Sequence, residues 1–119
     1  MRFQIQRDNG LWYSAEYAPF AVGPETDKYR LSVSGFSGDA GDAISAPVKP
    51  KRIANGMQFS TPDQDNNMYP NTHCHETKGW WYGWCSASVL TYFGKANWNA
   101  DTDEFIRDVI FDRMLVKLY

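Results

Sequence analysis

The chain has little sulfur, little histidine and no long apolar run. Its 119 residues include two cysteines, two histidines and four methionines. Nowhere do the ~20 consecutive apolar residues of a transmembrane helix occur, so no membrane span is predicted. Charge of one sign is also missing. The net charge is −2, and the 12 Lys and Arg residues are scattered along the chain. That pattern carries no footprint for a polyanion, so nucleic acid is not an expected partner. No Gly-x-Ser-x-Gly elbow is present, and no glycine-rich phosphate loop follows a strand. Glu16, Glu25, Glu76 and Glu104 stand apart from one another, with no acid/base pairing in sight. The chain is not read as an enzyme. Internal repeats, low-complexity tracts and linkers are absent too, which leaves at most one domain over residues 1–119.

What is present is globular and rich in rings. Hydrophobic residues make up 43% and aromatics 16%, so a few large side chains can fill much of a modest core. From Met1 to Gln6, apolar and polar residues alternate as in a strand. That start has no leader-like segment, so the expectation is either upstream sequence that includes a leader or an internal start at Met1. Asp8-Asn9-Gly10 is a hairpin-turn signal, because Asn and Gly tolerate positive φ. Tyr13, Ala15 and Tyr17 then share one face of a second strand. Phe20 and Val22 continue the alternation until Gly23-Pro24 breaks it. Tyr29, Leu31 and Val33 predict another strand, and residues 39–44 a short capped helical turn. Residues 47–52, with two prolines, predict a loop. Residues 55–75 have little periodicity and predict a long ordered loop, usually functional in a compact domain. Residues 80–92 fit a strand or a buried helix. Near the C-terminus two patterns compete: a helical face through Phe105, Val109 and Asp112, or a strand through Met114, Val116 and Leu118.

Three constellations could carry chemistry. Asp63-x-Asp65-x-Asn67 opens like a calcium loop, in which alternate oxygen side chains gather around a hard cation. As an EF-hand it fails, since Met68 and Cys74 stand where Gly and Glu belong. The plain alternative is a solvated Asx-turn loop. His73-Cys74-His75 with Cys85 could be zinc ligands. On a strand, however, the histidines point one way and the cysteine the other. The two cysteines fit either a disulfide or two free thiols. A bond closing their loop, twelve residues counted inclusively, would stabilise by about 3 kcal/mol on chain-entropy grounds. Trp80, Trp81, Tyr82 and Trp84 form a binding wall or core packing.

Several motifs then occur in a fixed order. They are Tyr29-Arg30-Leu31 with Val33-Ser34-Gly35, Gly38-Asp39-Ala40-Gly41-Asp42-Ala43, Asn55-Gly56-Met57-Gln58-Phe59-Ser60-Thr61, Asp63-x-Asp65, Cys74, and Gly79-Trp80-Trp81-Tyr82-x-x-Cys85. Together they resemble a fibrinogen C-terminal (fibrinogen-related) domain over nearly the whole chain. The resemblance implies an α+β fold, with a mixed, mainly antiparallel sheet, short helices and long ordered loops. Domains of that kind are typically about twice this size. The chain is therefore expected to be the C-terminal portion of one, without the N-terminal subdomain, and to expose apolar surface along its first hairpin.

The resemblance also implies a site. Asp65 and Asn67 would bind Ca2+ with backbone carbonyls near Tyr69 and Asn71. Asn67 replaces a carboxylate, so the site is expected to be weak. Cys74 and Cys85 would form a disulfide. Trp81, Tyr82, Trp84, Cys85, Ser86 and Tyr92 would border a pocket, with a cis peptide between Trp84 and Cys85. Ser86 stands in place of the family's common His, and the loop between Tyr92 and Asn97 is short. The implied role is non-catalytic, secreted and lectin-like: binding of carbohydrate or acetylated ligands in innate defence. The alternative is a protein–protein interaction or structural module. Any oligomer would form through regions outside this chain.

Overall fold

A computed structural model describes residues 1–69, 73–76, 78–92, 95–102 and 106–117. The alternation at the N-terminus becomes a hairpin. Strands β1 (Arg2–Arg7) and β2 (Trp12–Glu16) pair antiparallel, from Arg2 opposite Glu16 to Gln6 opposite Trp12. Gly10 closes the turn at φ 81°, and the Asn9 Oδ1 accepts the Leu11 N–H at 2.9 Å. On the other side of β1 lies β9 (Val109–Leu115), so the sheet order is β2-β1-β9. Its register shifts between Gln6 and Arg7.

The inner face of this sheet builds the core. Phe3, Ile5, Ala15 and Tyr17 are buried there. Phe3 meets Tyr17 edge-on with centroids 5.8 Å apart and lies 5.4 Å from the Trp98 ring. Each fully buried large side chain contributes roughly 1.5–3 kcal/mol. The indole N–H of Trp98 donates to the carbonyls of Ala40 and Gly41, both at 3.1 Å, which ties the sheet's core to the residue 38–45 loop.

The other described sheets are antiparallel pairs: β3 (Phe20–Val22) with β4 (Leu31–Val33), β5 (Phe59–Ser60) with β6 (Trp80–Trp81), and β7 (Ser88–Val89) with β8 (Asn97–Trp98). Single 3-10 turns occur at Glu25–Asp27, Pro50–Arg52 and Cys74–Glu76. The α+β expectation of mainly antiparallel sheets, short helices and long loops therefore describes the molecule.

Several local expectations need adjustment. Residues 43–45 form a single turn capped by Asp42, whose Oδ1 accepts the Ser45 N–H three residues on at 2.8 Å. Residues 80–92 are neither one strand nor a helix, but two short strands joined by bends. Of the two C-terminal patterns, the strand wins: Val109 and Asp112 lie in β9. Phe105 and Leu118 fall outside the described residues. The hairpin's rings divide. Phe3 and Tyr17 are buried, while Trp12 is 46% exposed. The longer apolar row lies on β9 and just past it, where Ile110, Phe111, Met114, Leu115 and Val116 are exposed.

Candidate functional site

Trp80 and Trp81 pack edge-to-face at 5.2 Å, and Phe59 packs on Trp81 at the same spacing. The Trp81 indole N–H donates to the Tyr29 carbonyl at 2.9 Å. Both tryptophans of β6 are thus committed to the interior. Past them the chain bends sharply. Gly83 is buried against the residue 51–53 backbone, and a Cβ there would lie 2.6 Å from the Lys51 carbonyl oxygen, so only glycine fits. Cys85 follows with φ +54°, a left-handed conformation that costs a non-glycine residue about 1 kcal/mol or more.

Cys85 is bonded to Cys74, with Cα atoms 5.3 Å apart. This removes the zinc alternative, because both thiolates are consumed. His73 instead holds Glu76 through Nδ1 at 2.8 Å. The Trp84–Cys85 peptide is not cis. The described cis bond is Ala18–Pro19, and Cys85 instead carries a left-handed φ.

A cavity of about 340 Å³ opens beside the bridge. Its floor and walls come from Cys74, Tyr82, Cys85 and Val89, with Asn97 opposite Val89 in the β7–β8 pair. Tyr92, Lys95, His73 and Arg107 complete the lining. Two bonds fix the wall: the Tyr82 hydroxyl donates to the Lys78 carbonyl at 2.6 Å, and the Asn97 amide donates to the Ala87 carbonyl at 2.9 Å. Tyr92 has the Lys95 ammonium 5.5 Å and the Lys78 ammonium 6.0 Å from its ring centre.

Of the residues expected at a pocket, Tyr82, Cys85 and Tyr92 meet in this cavity. Trp81 lies in the core. Trp84, 37% exposed, takes Lys49 at 4.5 Å and Arg52 at 5.3 Å on its ring. Ser86 is buried, with its Oγ accepting the Ser88 N–H. Lys95, Asn97 and Arg107 were not anticipated. They come from separate segments whose spacing carries no shared signal.

The loop before Cys74 contains the expected calcium ligands. Asp65 Oδ1 accepts the Asn67 N–H at 2.9 Å and lies 3.7 Å from His75 Nδ1. Asn67 Oδ1 accepts the Ser60 hydroxyl at 3.0 Å and so is turned toward β5. Asp63 accepts the Thr61 hydroxyl at 2.7 Å, which holds its carboxyl below the ordinary range. Among the described residues no three His, Cys, Asp or Glu side chains converge on a metal position. The Tyr69 ring lies 5.8 Å from the Lys51 ammonium, and Asn71 falls outside the described residues.

Residues 1–109 match the family model described as fibrinogen beta and gamma chains, C-terminal globular domain. The mouse fibrinogen gamma chain is 43% identical over 100 residues, covering 76% of this chain and 23% of the relative. The chain therefore spans less than a quarter of that relative's length. Among solved structures, the fibrinogen-like globe domain of human ANGPTL6 has a TM-score of 0.64 at 34% identity, covering 75% of this chain and 37% of the other. The lamprey fibrin D-dimer complexed with the peptide Gly-His-Arg-Pro-amide has a TM-score of 0.76 at 25% identity, covering 98% and 46%.

Proposed function

Because the chain belongs to the fibrinogen C-terminal globular domain family, we propose that it is an extracellular, non-catalytic recognition module whose cavity beside Cys74–Cys85 binds a short protein segment. The observation behind this reading is the placement of Tyr82, Cys85 and Tyr92 around one cavity of about 340 Å³, within the usual size range of ligand pockets. A relative of similar fold, the lamprey fibrin D-dimer, is complexed with a four-residue peptide amide, which favours a peptide as the ligand class. Cys85 is bridged and so is no nucleophile. A disulfide favours an oxidising compartment. Among the described residues no helix is long and apolar enough to cross a membrane.

A second reading, lectin-like binding of acetylated sugars in innate defence, draws on the two tyrosines that line the cavity. Aromatic faces suit sugar rings and methyl groups. Calcium is proposed only as a weak ligand of Asp65. With a Kd on the order of 1 mM and about 1 mM free Ca2+, it would add about 0.4 kcal/mol. We also propose that further chain of the same domain covers the apolar row on β9. Phe111 at 61% exposure is a costly surface residue in isolation.

The reading is tested by applying the chain and its Tyr92→Ala variant to peptide and acetylated-glycan arrays, with and without chelator. Peptides are expected to be retained by the unmodified chain and held at least about tenfold more weakly by the variant, with little effect of chelation. Retention of acetylated sugars alone would move the function to the lectin-like reading. Equal retention by the variant would remove the cavity from the account.

A further inference from the structure

We infer that the cavity beside the Cys74–Cys85 bridge selects acidic peptide segments. This inference rests on the recognition reading above and adds the sign of the ligand's charge. The chain as a whole is slightly acidic, with 14 Asp and Glu against 12 Lys and Arg. The cavity reverses that balance. Lys95 and Arg107 line it, and among the described residues no Asp or Glu does.

Among the described residues, the two strong cations there also have no acidic partner. Arg2, Arg7 and Arg30 are each paired with a carboxylate at 2.7 to 3.0 Å. Among the described residues, neither Lys95 nor Arg107 has a carboxylate within ion-pair distance. The nearest acid in sequence to the bridge, Glu76, is engaged by His73. Lys95 stands over the Tyr92 ring, and Lys78 approaches the same ring. A tyrosine flanked by two ammonium groups gives a flat apolar seat with positive charge at its edges. An entering carboxylate meets the donors of Lys95 and Arg107, and the partly enclosed setting strengthens the attraction over that in open water. Among the described lining residues a lysine or arginine in the ligand meets like charge, which acts as selection against basic peptides; the inferred ligand is in this respect the opposite of the arginine-bearing Gly-His-Arg-Pro-amide held by the lamprey relative.

The test is fluorescence anisotropy with three labelled probes: Gly-Glu-Gly-Glu with a free C-terminus, Gly-Ser-Gly-Ser-amide and Gly-Lys-Gly-Lys-amide. The acidic probe is expected to bind at least about tenfold more tightly than the basic one, and to weaken several-fold when salt rises from about 0.05 to 0.5 M. Lys95→Glu and Arg107→Glu are both surface changes. Each is expected to weaken the acidic probe by about tenfold with the melting temperature unchanged. Equal or tighter binding of the basic probe, still lost in Tyr92→Ala, would overturn the charge inference and leave the recognition site standing. If no probe depends on Tyr92, the inference falls together with the reading beneath it.

Discussion

The hairpin sheet and the bridged segment both bury aromatic rings, but they hold them in different ways. In β1 and β2, every second side chain turns inward, and a continuous backbone ladder fixes the register. The bridged segment has strands of only two residues. Its positions are set instead by side chains bonding to distant carbonyls: Trp81 to Tyr29, Tyr82 to Lys78, Thr91 to Gly79, Asn97 to Ala87 and Trp98 to Ala40. A ladder can lose one side chain and keep its register. A set of single bonds has less redundancy. The bridged segment should therefore be the region that point changes disturb most.

The largest test of that contrast is Trp98→Ala. The ring is fully buried, and its N–H serves two carbonyls. Truncation is expected to cost 3–5 kcal/mol, roughly, read as a loss of cooperative melting or a steep fall in midpoint. If Phe3→Ala, on the ladder side, costs as much and also disturbs the cavity, the contrast weakens. Next comes reduction of Cys74–Cys85. It is expected to cost about 3 kcal/mol on loop-entropy grounds and to weaken ligand binding, while exchange protection in β1 and β2 persists. Smaller is Tyr17→Phe. The hydroxyl donates to Asp42 at 2.6 Å, and burial together with that carboxylate pushes its pKa upward. Its loss is expected to cost about 1–2 kcal/mol by chemical denaturation, because Asp42 keeps both donors of Ser45.

The smallest effect is expected at Asp112, opposite Ile5 on the sheet. Burial raises its carboxyl above the ordinary range, so the ionised form is disfavoured in the folded chain. Its contribution to stability is greatest below the ordinary aspartate pKa and declines as pH rises through the raised one. Asp112→Asn is expected to raise the melting temperature at pH 7 by no more than about 3 °C, with no gain near pH 3. A gain that grows toward low pH would contradict this. Asp27 runs the other way. Its hydrogen bond from Arg30 lowers its carboxyl pKa, so that support is lost as pH falls.

What could be read in the sequence follows the same division. Phe3, Ile5, Ala15 and Tyr17 announce their face by period two, and residues 8–10 announce their turn. Both appear in the structure as read. The strand at Val109–Leu115 was ambiguous because neither of its faces is cleanly polar. The family motifs placed Cys74, Tyr82, Cys85 and Tyr92 together before any geometry was known. Lys95, Asn97 and Arg107 could not be read this way. They reach the cavity through loops and a two-residue strand, where no periodicity constrains direction. Ser86 and Trp84 sit beside the bridge in sequence, yet the left-handed Cys85 sends one into the interior and leaves the other on the surface against Lys49 and Arg52.

The central claim is that the bridged cavity, and not the sheet, is the docking surface. The most direct measurement is an amide chemical-shift titration of the labelled chain with the acidic and basic peptide probes. The account predicts that the largest shifts fall on Tyr82, Cys85, Tyr92 and Lys95, with β1 and β9 silent. Shifts centred on Trp12, Phe111 and Leu115 would contradict it.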